Sequence, residues 1–124
     1  MIHLDTWFFL EAMEADSTAA RLMETWLENG EELNLSSIAW FELLAGTFTD
    51  AERRQASRLF PRPEPFLAED AEKAAELFQF VGRRRALWSS CQVAAVAIRV
   101  GALLATKNPD DFEPLVVRGL KLMR

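Results

Sequence analysis

The stretch VAAVAIRVGALLATKNPDDF, residues 93–112, constrains the fold more than any other part of this chain. It begins as a helix of small apolar residues, which Gly101 ends. It continues as ALLAT (102–106) and closes in a turn with two adjacent carboxylates, Asp110 and Asp111. A strand with no polar alternation is covered on both faces. Such strands belong in a parallel sheet between helical layers.

The rest of the chain repeats that alternation. MIHL (1–4), EELNLSS (31–37), FLA (66–68) and LKLM (120–123) read as further short strands. Between them lie helical segments. TWFFLEAME follows the first strand. DSTAARLMETWLENG (16–30) has Asp16 or Ser17 as its cap, Leu22, Trp26 and Leu27 on one face, and Gly30 as its stop. IAWFELLAG ends at Gly46, and TDAE (49–52) has capping-box spacing between Thr49 and Glu52. The prolines of PRPEP (61–65) exclude a helix there. EDAEKAAELFQFVGRRRALW (69–88) is a long helical segment interrupted at Gly82, and SSCQ (89–92) again has capping-box spacing, from Ser89 to Gln92. The expected fold is α/β: a three-layer α/β/α sandwich around a mostly parallel sheet of four to five strands, formed by residues 1–124 as one domain.

Composition narrows the function classes. The 124 residues carry 14 Lys plus Arg against 19 Asp plus Glu, net −5, which argues against a broadly basic nucleic-acid binder and leaves room for a local basic patch. Cys91 is the only cysteine, so no intramolecular disulfide forms, which suits a reducing cytoplasm. The N-terminus lacks the basic region of a signal peptide, and the run VAAVAIRVGALLAT is too short to span a membrane.

Asp5 ends the first strand, Glu42 lies in a helix after the second, and Asp111 follows ALLAT. Ligands of parallel α/β folds bind beyond the carboxyl ends of the strands, so three carboxylates distant in sequence can meet at one rim. There they would suit Mg²⁺ or Mn²⁺, which prefer oxygen ligands. The competing reading is ordinary: a solvated Asp5, a surface helix carboxylate at Glu42, and Asp110 and Asp111 as helix initiators. No G-x-G-x-x-G or P-loop pattern follows a strand.

Three segments resemble motifs of the PIN-domain family, in particular the VapC-type toxin ribonucleases. MIHLDT resembles the opening strand with its first acid, SSIAWFELLAG the second motif with Glu42, and VAAVAIRVGALLATKNPDDF the closing segment with its Thr-x-Asn-x-x-Asp-Phe. The matches run in order over nearly the whole chain. The resemblance implies an endoribonuclease that uses Mg²⁺ or Mn²⁺, acts on RNA as the toxin of a toxin–antitoxin pair, is held inactive by a small antitoxin, and dimerises. It carries Asp5, Glu42 and Asp111 over as catalytic metal ligands, with Thr6 and Asn108 as polar supports. Family members place an aspartate four residues before the first of the paired alanines. Here that position is Ser90, counted back from Ala94. Serine can ligate Mg²⁺ but brings no charge; its other reading, with Ser89, is helix capping, which the residues favour. The alternative function is a PIN-type domain with impaired catalysis that serves as a binding or scaffold protein.

Other residues are read more plainly. Cys91 is a small packed residue, and His3 packs within the first strand. Arg83, Arg84 and Arg85 form either a solvated helix face or, with Arg53, Arg54, Arg58 and Arg62, contacts to RNA phosphates. Trp7, Phe8, Phe9, Trp40 and Phe41 are more aromatic surface than one small core readily hides, which points to a protein partner or a second copy.

Overall fold

A computed structural model describes residues 1–124 as one parallel sheet with helices around it. The strands are β1 (Ile2–Leu4), β2 (Leu33–Asn34), β3 (Leu103–Ala105) and β4 (Lys121–Leu122), in the order β2-β1-β3-β4. The helices are α1 (Thr6–Ala12), α2 (Thr18–Glu28), α3 (Ser37–Ala45), α4 (Asp50–Leu59), α5 (Ala68–Phe80), α6 (Trp88–Val100) and α7 (Pro109–Phe112). Two 3₁₀ turns, Arg85–Leu87 and Glu113–Arg118, lead into α6 and β4. Every strand pair is parallel, with His3 opposite Asn34 on one side and Leu104 on the other. Ile2, His3 and Leu4 are all buried. Successive strand residues point to opposite faces, so β1 is covered on both, giving the three-layer α/β/α arrangement.

Local signals set the helix ends. Ser17 caps α2 by accepting from the Ala20 N–H, and Thr49 and Glu52 form the reciprocal capping box of α4. The bonds from Thr49 hold the Glu52 carboxyl below its usual pKa. Gly101 takes φ +70° and ends α6, a conformation that disfavours any residue with a Cβ.

Three expectations fail. FLA is no strand: Leu67 is the residue before α5, and Ala68 is already helical. Only an isolated parallel bridge, Ser36 to Glu64, forms beside it, because the prolines at 61, 63 and 65 leave too few donors for a ladder. On α2 the buried face is Ala19, Met23 and Trp26, with Leu22 and Leu27 on the surface. Trp26 stacks on Phe8 at 5.5 Å, and that contact selects the face. Ser89 does not cap α6. The helix begins one residue earlier, at Trp88, continuing the 3₁₀ turn, and has no side-chain cap.

Cys91 is buried, and burial pushes its thiol pKa up. His3 is 1% exposed, and neither ring nitrogen has a hydrogen-bond partner in the protein. Burial drives its pKa from 6.5 to about 4, with the Arg99 charge adding to the shift and Glu64 opposing it. Above pH 6.5 His3 is neutral in both states. Between 6.5 and 4 the unfolded chain binds a proton that the fold refuses, so stability falls as pH drops through this window, by up to roughly 3 kcal/mol. Urea denaturation of wild type and His3→Leu at pH 7.5 and 4.5 checks this. The variant should gain on the wild type at the lower pH, and a pH-independent difference would refute the assignment.

Candidate active site

Asp5 stands where β1 ends and α1 begins. Its Oδ1 accepts from the Phe8 N–H at 2.8 Å, so it caps the helix. Its Oδ2 accepts from the Thr106 hydroxyl. The sheet register creates that second contact: Leu4 lies opposite Ala105, so Asp5 and Thr106 leave adjacent strand ends side by side. Thr106 Oγ1 also accepts from the Asn108 N–H at 3.0 Å, which shapes the turn before α7. Thr106 opens the Thr-x-Asn-x-x-Asp-Phe pattern, which by itself gives this residue no role. Its signal was its place directly after β3, matching that of Asp5 after β1.

Glu42 comes to the same rim from α3, which Ser36 caps. Its Oε1 accepts from the Thr6 hydroxyl at 3.0 Å, so Thr6 ties α1 to α3. Asp111, on α7, is solvent-exposed. Asp5, Thr6, Glu42, Ser90, Asn108 and Asp111 line one cavity of about 120 Å³, with Trp7, Ala86, Ser89, Val93 and Phe112 completing its walls. The structure therefore brings together the three acids, the polar residues Thr6 and Asn108, and Ser90. It does not bring Arg83, Arg84 or Arg85 into this cavity, nor the arginines of α4. The triplet lies exposed in the turn between α5 and α6, next to Ala86.

The electrostatics of the cavity are those of uncompensated acids. Burial raises the Asp5 pKa most, and the charges of Glu42 and Asp111 add to it; the bonds from Thr106 and Phe8 act the other way without cancelling it. A cation would relieve this. The side chains do not close on a dry ion, since no three His, Cys, Asp or Glu groups converge as a ligand set. The arrangement fits a divalent ion that keeps several waters and takes one or two carboxylates directly, as Mg²⁺ does. Asp5 and Glu42 would hold it, each already oriented by a threonine hydroxyl, with Asp111 at the open side.

No protein-family model matches the chain, and no curated protein does. Solved structures do. The crystal structure of FitAcB from Neisseria gonorrhoeae aligns with TM-score 0.76 at 19% identity, covering 100% of this chain and 97% of that one. VapBC2 from Rickettsia felis, bound to a DNA fragment from their promoter, gives 0.75 at 21% identity over 99% and 98%. A toxin–antitoxin complex from Klebsiella pneumoniae gives 0.72 at 22% identity over 90% of each chain. At such identities these likenesses establish the fold.

Proposed function

We propose that this chain is the toxin of a toxin–antitoxin pair, a PIN-type endoribonuclease of VapC kind that works with Mg²⁺ or Mn²⁺ in the cytoplasm. One observation carries the reading: Asp5, Glu42 and Asp111, far apart in sequence, line one cavity, and the charges of Glu42 and Asp111 both reach the buried Asp5 carboxyl. The likeness in fold to solved toxin–antitoxin structures supports it.

A bound divalent ion would activate water and stabilise the leaving oxygen of a phosphodiester. The chain supplies the rest. Thr106 and the Phe8 N–H fix both Asp5 oxygens, and Thr6 fixes Glu42, so the ligands are set before substrate arrives. Asp111, exposed at the cavity, can accept a proton from an incoming water. Arg83, Arg84 and Arg85 would hold flanking phosphates of the RNA. Trp7 and Phe41 remain 64% and 68% exposed while Phe8 and Phe9 join the core, which supports an apolar antitoxin helix, or a second copy in a homodimer, covering them.

The test is divalent-dependent cleavage of single-stranded RNA by the purified protein, with added chelator as the control. No cleavage with Mn²⁺ or Mg²⁺ would favour the second reading, an impaired domain that binds without cutting. Ser90 favours that reading, because it lines the cavity without charge and without capping α6. Ser90→Asp is expected to tighten Mn²⁺ binding roughly tenfold, the lower end of what changes around a bound metal produce, and to raise cleavage with it. Residue 90 lies in the first turn of α6, where a carboxylate suits the helix dipole. Metal-free stability should hold or fall slightly. If calorimetry and cleavage are both unmoved while Asp5→Asn abolishes both, Ser90 has no part in the metal site.

A further inference from the structure

A second cavity, of about 340 Å³, opens between α5 and α6, and its walls have a different chemistry. Phe78 and Trp88 meet edge to face at 5.0 Å, and Trp88 remains 53% exposed. Gln79 and Gln92 bring two carboxamides, and Arg83 brings a guanidinium. The Arg85 guanidinium lies 6.0 Å over the Trp88 ring. None of Arg83, Arg84 and Arg85 is ion-paired. On a chain of net −5, three free guanidiniums in one turn select an anion. Aromatic faces and carboxamides select something flat with donors and acceptors on its edge.

Arg83 adds a backbone observation. It sits at φ +59°, straight after Gly82 at φ +76°. Its N–H donates to the Phe78 carbonyl at 2.9 Å, closing the end of α5. Glycine would occupy that left-handed position with less strain, so arginine there costs stability. The turn holds the residue that carries it at the cavity wall.

The two cavities share one helix. Ser89, Ser90 and Val93 line the acidic one, while Trp88 and Gln92 line the other. A strand crossing the start of α6 would pass from one to the other over about one helix width, 10–12 Å.

We propose that this second cavity is a nucleobase subsite. It takes an unpaired base of the same RNA strand whose phosphodiester lies at Asp5, Glu42 and Asp111, stacked on Trp88, with Gln79 and Gln92 at the base edge and Arg83 on the adjoining phosphate. The inference rests on the ribonuclease reading for the identity of the strand.

The probes are an unstructured RNA 12-mer of mixed sequence and an abasic 12-mer with the same backbone, each bound to the intact protein in EDTA so that nothing is cut. Anisotropy gives Kd and tryptophan emission reports stacking. Wild type should prefer the intact RNA roughly tenfold, the scale of one stacked base. Trp88→Ala should lose that preference and Trp88→Phe should keep most of it. Arg83→Gly should weaken both RNAs while its melting temperature stays at or above wild type, which separates lost binding from lost folding. Three results would overturn the subsite: equal affinity of wild type for both RNAs, unchanged RNA binding in Trp88→Ala, or concentration-dependent self-association that Trp88→Ala abolishes, which would give the cavity to a second copy. Failure of the ribonuclease reading looks different: no metal-dependent cleavage, with base-dependent binding through Trp88 intact.

Discussion

Asp5→Asn is expected to reduce metal-dependent RNA cleavage by roughly 10³-fold, the several kcal/mol that a metal contributes to transition-state charge. The geometry should survive. An amide oxygen can still accept from the Phe8 N–H, and the amide nitrogen can donate to Thr106, so α1 keeps its cap. The charge is what goes. In the metal-free protein the folded-state pKa of Asp5 is raised, mainly by burial and further by Glu42 and Asp111. The fold therefore binds this proton more readily than the unfolded chain does. Asp5 then favours the fold most at pH values below its unfolded pKa, and that contribution is lost as pH rises through the folded pKa. At neutral pH and without metal, Asp5→Asn should melt no lower than wild type. Mn²⁺ should reverse the order, because a ligand held only by the native state stabilises it by about 2.7 kcal/mol at 100 times its Kd. Melts with and without Mn²⁺, run beside the cleavage assay, measure both effects. An equal rise in wild type and in the Asp5→Asn/Glu42→Gln double variant would place the ion elsewhere.

Arg99→Ala is expected to destabilise the fold by roughly 3–5 kcal/mol, the cost of leaving a buried charge without its partner. Asp70 is 1% exposed, and the Arg99 Nε donates to both its carboxylate oxygens at 2.9 and 3.0 Å. The same guanidinium reaches Glu64 at 3.2 Å and the Pro65 carbonyl at 2.9 Å. Asp70 in turn accepts from the Leu67 N–H at the start of α5. One side chain of α6 thus ties down α5 and the proline segment behind the sheet. The double variant Asp70→Leu/Arg99→Met should recover much of the loss, since replacing both ions with apolar groups removes the uncompensated charge. Chemical denaturation at pH 7 reads all three proteins. A loss below 1 kcal/mol in Arg99→Ala would mean that solvent, not the network, satisfies Asp70.

The sequence by itself determined the features set within a few residues of chain. Ser17, the Thr49–Glu52 box and the glycines at 30 and 101 act through neighbouring backbone groups, and each stands where its spacing places it. The uniform apolarity of ALLAT specified a strand covered on both faces, and the order of elements specified the parallel sheet. Asp5, Glu42 and Asp111 could be placed at one rim because strand ends in such a sheet share an edge. What these patterns left open was decided in the folded chain, partly by the residues just upstream and partly by partners distant in sequence. FLA has strand composition, but a strand needs a ladder and the prolines before it prevent one. Ser89 has cap spacing, but the preceding 3₁₀ turn already starts the helix, which frees Ser89 and Ser90 to line the cavity. Trp26 fits a stripe with Leu22 and Leu27 as well as one with Ala19 and Met23, and its stack on Phe8 goes with the second. The bond from Thr106 to Asp5 spans 101 residues, and no local pattern encodes it. It exists because parallel pairing of β1 with β3 sets two strand ends side by side at the acidic cavity.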